Sequence, residues 1–237
     1  MSQLFLVRHG QASFLADDYD QLSQLGREQA RQLGEHWARC GVKIDRALSG
    51  PRRRQQDTAE ICLSALGYAG PPLVVERAFD EHPGEFLVRD CLPAALAVDA
   101  PLGERLNALA AAPDRGSRAR ATELILQRVM KLWLQAAFDT GGLETWQSFR
   151  ARLRRALTDV VTSQGRGQNI AVFSSGGSIG ALVGLVLGVG DETALELGYA
   201  VHNASVSELR FSGADRVSLS RFNSLAHLPS PASWTYR

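Results

Sequence analysis

The chain has few cysteines, little net charge and no long apolar runs. Its three cysteines, Cys40, Cys62 and Cys91, are widely spaced and include no CxxC pair. An odd, scattered set builds no disulfide framework, so a reducing compartment is expected. Lys and Arg number 26 against 25 Asp and Glu, a formal net charge of +1. Bulk charge therefore predicts neither a nucleic-acid nor a membrane partner. The longest apolar stretch, Ile179 to Val189, is broken by glycines and too short to cross a bilayer. The opening MSQLFLVRHG has no basic n-region, so it is not read as a signal peptide. A soluble, cytoplasmic protein is expected. There is also no GK[ST] phosphate loop, no internal repeat and no low-complexity tract.

What is present is ordinary globular composition, 45% hydrophobic and 22% charged over 237 residues. That length suits one domain with a substantial core. Leu4 to Val7, Ile44 to Leu48, Leu73 to Val75 and Ile170 to Phe173 are short apolar runs, as in strands buried on both faces. Helical spacing is expected over 22–37, 55–66, 146–161 and 178–187. Ser205 to Phe211 and Val217 to Phe222 read as a hairpin across SGADR. From Phe79 to about Gly142 the strand–helix alternation stops. An alanine-rich, poorly periodic stretch precedes the helix-forming TELILQRVMKLWLQAAF. The expected organisation is one domain over 1–237 with a helical lid inserted at 86–142. Alternating strands and helices imply an α/β sheet, parallel at its centre.

Ligands of such sheets gather at the carboxyl ends of strands. Three loops lie there: Arg8-His9-Gly10, Ser49 to Arg54, and Ser174 to Gly177. A neutral imidazole at His9 is a competent nucleophile toward phosphorus. Arg8 supplies a fork of donors for phosphate oxygens, and Gly10 permits close approach by a ligand. A strand-end histidine satisfied by backbone is the plainer alternative, which the Arg-His-Gly context disfavours. Arg52, Arg53 and Arg54 open a helix, whose amides and dipole favour an anion; a solvated basic turn is the alternative. Glu81, at a loop entry before His82-Pro83-Gly84, is either a shielded proton donor or a surface carboxylate.

Taken in order, LFLVRHGQ, LSQLGREQARQLGEHW, SGPRRRQQDTAE, Asp80-Glu81, GLETWQSFRARL, SSGGSI, NASVSEL and NSLAHL resemble the histidine phosphatases, the phosphoglycerate-mutase-like enzymes. The resemblance spans most of the chain outside roughly 87–140. It implies a three-layer αβα sandwich with a mostly parallel sheet, and a phosphohistidine intermediate on a small phosphorylated substrate. It implies no metal and no other cofactor, and a monomer or homodimer. By the same resemblance His9 is the phosphorylated histidine, Arg8 its neighbouring phosphoryl ligand and Glu81 the proton donor. Arg54, four residues before Thr58, is the functional arginine of its loop.

One position departs from the pattern. Where the family reads Thr/Ser-His-Gly-Gly, this chain has Ser174-Ser175-Gly176-Gly177. Ser175 offers one short, uncharged donor in place of a histidine. Losing a charge-assisted bond costs about 1.5–3 kcal/mol, roughly ten- to a hundredfold in rate. Weakened catalysis is expected, with His82 or a water held by Ser175 filling the gap; His202 and His227 are further candidates. Gly176 and Gly177 would let the helix end approach the anion. Three other functions stay open: a non-catalytic phosphate-ligand binder, a phosphoglycerate mutase, and a serine hydrolase built on Ser175, Asp191 and His202. The last lacks the small residue that a nucleophile elbow needs, since Phe173 stands two positions before Ser175.

Overall fold

The computed structural model describes residues 1–12, 20–162 and 167–236. Among them are strands β1 Ser2–Arg8, β2 Arg46–Ser49, β3 Leu73–Val75, β4 Asn169–Ser174, β5 Val206–Phe211 and β6 Val217–Ser224. They form one sheet in the order β3-β2-β4-β1-β5-β6. The first four of that order are parallel, and β5 and β6 close the edge as an antiparallel hairpin. The apolar runs are continuous because both faces of the central strands are buried. Phe5, Val7, Ala171 and Phe173 pack on Leu33 and Trp37 of α1 (Gln24–Arg39) and on Ala59 and Cys62 of α2 (Arg53–Ser64). Leu4, Leu6, Ile170 and Val172 alternate to the opposite face and are fully buried there. Helix α8 (Gly176–Leu187) contacts β1 and β6. Helices thus cover both faces of a mixed α/β sheet, giving three layers.

The register positions the loops. Arg8 on β1 lies opposite Ser174 on β4, and Ser49 on β2 lies opposite Phe173. The chains leaving these three strands therefore emerge side by side, each carrying one of the candidate loops.

By contacts the chain divides into two compact units, Met1–Glu81 with Arg152–Arg237, and His82–Ala151. The second is helical. It opens with α3 (Gly84–Asp90), and the alanine-rich stretch that lacked periodicity then forms α4 (Leu92–Val98), α5 (Ala100–Ala110) and the start of α6 (Arg115–Leu134). Alanine's high propensity sustains these helices while its small side chain gives little periodic contrast. Arg128 Nε donates to Asp99 Oδ2 at 2.9 Å, tying α6 to the α4–α5 junction. Trp133, Trp146 and Phe149 form an aromatic cluster that includes His82, with Trp146 and Phe149 at the start of α7 (Trp146–Thr162).

A helix absent from the sequence expectations, α9 (Asp191–Ala200), lies against α8. Gly176, Gly180 and Gly184 recur every four residues along the α8 face. A Cβ on Gly180 would stand 2.3 Å from Gly198 N, and one on Gly184 2.6 Å from Ala194 Cβ. The glycines of GGSIGALVG therefore serve close helix–helix packing. This gives opposite signs to two Gly→Ala changes. Gly103→Ala, where the added Cβ meets only Leu96 Cδ2 at 4.0 Å, should stabilise by about 0.5–1 kcal/mol. Gly180→Ala should destabilise by about 1–3 kcal/mol through overpacking. Urea denaturation of both variants checks the contrast.

Candidate active site

His9 follows β1 and is buried. Its backbone is held from two sides: its N–H donates to Ser174 O at 2.9 Å, and its carbonyl accepts from Ala204 N at 3.1 Å and Asn203 Nδ2 at 3.3 Å. Ala204 adopts φ +56°, a left-handed conformation uncommon outside glycine. The ring is fixed as firmly. Arg54 Nε donates to His9 Nε2 at 3.1 Å, and His9 Nδ1 lies 2.7 Å from Gly10 O. A guanidinium has only donors, so Nε2 must be the unprotonated nitrogen and Nδ1 the one that bears hydrogen. Burial, then the positive charges of Arg54 and Arg8, hold the His9 pKa well below its ordinary value; the Gly10 bond opposes them. The result is a neutral imidazole with its lone pair at Nε2.

The three consecutive arginines separate. Arg54 reaches His9. Arg52 Nε donates to Asp80 Oδ1 at 2.7 Å, and the Arg53 side chain is exposed. Thr58 Oγ1 accepts from Gly10 N at 3.0 Å and donates to Arg54 O at 2.7 Å, bracing the His9 loop against α2. Asp20 closes the other side: Oδ1 accepts from Arg54 Nη1 at 2.9 Å and Oδ2 from Arg53 N at 2.8 Å. A carboxylate thus occupies the guanidinium and amide positions that suit an anion at the start of α2.

Arg8 donates through Nη1 to Val201 O and through Nη2 to Tyr236 O, the latter at 2.6 Å. These carbonyls set the plane of its guanidinium. The segment carrying Tyr236 is stitched in further: Thr235 O accepts from Asn203 N at 2.7 Å, and Ser233 O from Gln29 Nε2 at 2.7 Å. Gln29 Oε1 in turn accepts from Gln11 N at 2.9 Å.

Ser175 is the N-cap residue of α8 but makes no side-chain cap bond. Its Oγ instead accepts from Gln55 Nε2 at 2.8 Å. Glu81 performs the capping, with Oε2 accepting from Gly177 N at 2.9 Å. The loop bearing Glu81 is anchored by Arg152 Nη1 on Ala78 O at 2.8 Å, Ser174 Oγ on Phe79 O at 2.7 Å and Ser178 Oγ on Asp80 O at 2.8 Å. The structure therefore presents Glu81 as an acceptor at a helix start.

Two of the glycines are required by backbone packing. A Cβ on Gly10 would fall 2.3 Å from Gly26 O, so its lack of a side chain admits the backbone of α1. A Cβ on Gly176 would meet Gly198 O at 2.8 Å and the Arg8 guanidinium at 3.6 Å, so it accommodates α9 and adjoins Arg8. The histidines proposed to compensate at Ser175 have other described partners. His202 N donates to Asn223 Oδ1 at 2.8 Å, and the His202 ring lies 4.0 Å from that of Tyr236. His227 packs beside His36. His82 belongs to the helical unit, where Nδ1 accepts from Gly84 N at 3.1 Å. Among the described contacts, neither Ser174 nor Ser175 has a histidine base.

Residues 4–89 and 99–224 match the histidine phosphatase superfamily, branch 1. The chain belongs to this superfamily. It is 27% identical over 237 aligned residues to a Hydrogenobacter thermophilus protein with the provisional name phosphoserine phosphatase 2, covering 96% of this chain and 98% of that one. Its fold is similar to that of a phosphoglycerate mutase from Bacillus anthracis, with TM-score 0.66, 21% identity and 95% and 94% of the two chains covered. It is also similar to a phosphoserine phosphatase mutant from Entamoeba histolytica in complex with phosphoserine, with TM-score 0.62, 16% identity and 96% and 100% covered.

Asp20, Gln55, Thr58 and Asn203 did not stand out in the sequence of this histidine phosphatase-superfamily chain. Gln55, Thr58 and Asn203 lie in motifs that the sequence shares with the family but were given no role of their own, and each of the four has a partner distant in the chain. A buried-polar signal existed only for Gln55 and Thr58, which occupy the apolar side of a helical pattern. The electrostatics yield a direct expectation. In histidine-selective NMR, the His9 ring should remain in its Nδ1-protonated neutral form as the pH falls through the ordinary imidazole range near 6.5. In Arg54→Ala, with one cation removed, its titration should move upward.

Proposed function

We propose that the protein is a phosphomonoesterase that passes the phosphoryl group of a small phosphorylated metabolite to His9 Nε2 and then to water. One observation carries the reading: a buried, neutral His9 with its Nε2 lone pair turned to Arg54. In the first step Nε2 bonds to phosphorus as the ester oxygen leaves, and Glu81 in its acid form gives that oxygen a proton. In the second, water attacks phosphorus, the N–P bond breaks and Glu81 takes up the water's proton. Arg54 and the field of Arg8 offset charge on the phosphoryl oxygens, a role that needs no metal in this proposal. Ser175 takes the place of the family's second histidine as a weaker donor. The relative's name makes phosphoserine the first metabolite to assay.

The resting contacts add a step. Arg54 occupies the His9 lone pair, and Asp20 occupies Arg54. An incoming phosphate competes with Asp20 for Arg54 and draws the guanidinium off Nε2. The same contacts favour a second reading, phosphate-ligand binding without turnover, because the nucleophile is covered at rest.

Hydrolysis of p-nitrophenyl phosphate separates the two. Turnover is expected, undiminished by EDTA and lowered roughly a thousandfold or more in His9→Ala. No turnover, or turnover equal in wild type and His9→Ala, would rule out the phosphatase reading. Removing the internal carboxylate in Asp20→Asn should tighten inorganic phosphate binding roughly two- to fivefold, as expected for a half-exposed ion pair, measured by calorimetry.

A further inference from the structure

Ser175 poses a bonding question. A serine at a helix N-cap ordinarily accepts from an amide of the first turn. Here that amide, Gly177 N, is taken by Glu81, and Ser175 makes no cap bond. The residue is 1% exposed, so solvent does not satisfy it. Its described partner is Gln55, itself fully buried on the first turn of α2.

The orientation of the Gln55 amide follows from its other contact. Arg52 N lies 3.1 Å from Gln55 Oε1. A backbone N–H must donate, so the atom facing it is the oxygen, and the atom 2.8 Å from Ser175 Oγ is the nitrogen. Gln55 therefore donates and Ser175 Oγ accepts. The Ser175 hydroxyl hydrogen must point elsewhere, and no acceptor for it is found among the described residues. A buried donor without an acceptor is costly, and an anionic oxygen is the acceptor that relieves it best. The surroundings fit. Ser174 O holds His9 N at 2.9 Å, and Gly176 on the other side adjoins the Arg8 guanidinium. Gly50 makes room for the arrangement, since a Cβ there would fall 2.1 Å from Gln55 Oε1.

We infer that Gln55 is a positioning residue for phosphoryl transfer: by donating to Ser175 Oγ it commits the Ser175 hydroxyl hydrogen to a phosphoryl oxygen beside His9. The inference rests on the phosphatase reading and supplies what replaces the geometric control of a fixed imidazole. A hydroxyl that already accepts one bond is also the stronger donor of a second.

The test is a double-mutant cycle on the full chain with p-nitrophenyl phosphate. Ser175→Ala and Gln55→Met should each lower kcat by about tenfold, with smaller changes in KM. The double variant should be no slower than Ser175→Ala alone, because Gln55 acts through Ser175. Losses that multiply, or a Gln55→Met enzyme with wild-type kcat, overturn the inference. Gln55→Met also loses the acceptor for Arg52 N. Gln55→Glu keeps it while turning the donor into an acceptor, and serves if the methionine variant does not fold. Its kcat loss should be at least several-fold larger with Ser175 present than in the Ser175→Ala background; equal losses overturn the inference. Wild-type turnover that depends on His9 establishes the parent reading separately. If it is absent, the same cycle is run on inorganic phosphate affinity by calorimetry. Non-additive weakening then supports the Gln55–Ser175 linkage, and additive or absent effects overturn it.

Discussion

Arg54 donates to His9 Nε2 at 3.1 Å, and that bond requires an unprotonated acceptor. A guanidinium this close to an imidazole repels its charged form, and burial removes the water that would otherwise stabilise it. Burial first, and then this contact, keep the ring neutral, and the contact sets the tautomer and the direction of the lone pair. The surrounding structure serves to keep it: Thr58 braces the two loops, Gly10 lets the His9 loop lie against α1, and the parallel β1–β4 register brings Ser175 alongside. The contact is also cation against neutral ring, held by geometry more than by attraction.

Legibility in the sequence followed the physics of each element. The central strands were readable because burial on both faces writes an unbroken apolar run, as in Leu4 to Val7. The helices at 92–110 were not, because alanine contributes helix propensity without an apolar stripe. Helix α9 was missed because its buried residues, Ala194, Leu195 and Gly198, include a single large apolar side chain, too little to register as a pattern. In the site, Arg8-His9-Gly10 and Arg54 could be named from local motifs. Their partners could not: Asp20, Gln55 and Asn203 act through bonds to residues tens to hundreds of positions away. The glycines were conspicuous, but their part in packing was not legible, since backbone crowding by Gly26 and Gly198 depends on contacts that local spacing does not encode.

The SSGG turn shows the difference between a residue's identity and its bonding. Read as letters, Ser174 and Ser175 are equivalent. In the structure Ser174 Oγ is spent on Phe79 O, anchoring the Glu81 loop, while Ser175 Oγ is held by Gln55. The capping role that either could have filled has passed to Glu81. Three side chains thus divide the tasks of one helix start, and the Glu81 carboxylate is a fastening of α8.

The tail that meets Arg8 bears on how the protein is made. Arg8 Nη2 and Tyr236 O are 228 positions apart, and Asn203 reaches Thr235 across the same seam. Arg8 and His9 are synthesised long before residues 201 and 236, whose carbonyls orient Arg8. A nascent chain can lay down β1 and α1 early, but this seam closes only after residue 236 has cleared the exit tunnel. A stall between residues 224 and 236 would leave a chain whose sheet is largely built and whose Arg8 still lacks its final orientation.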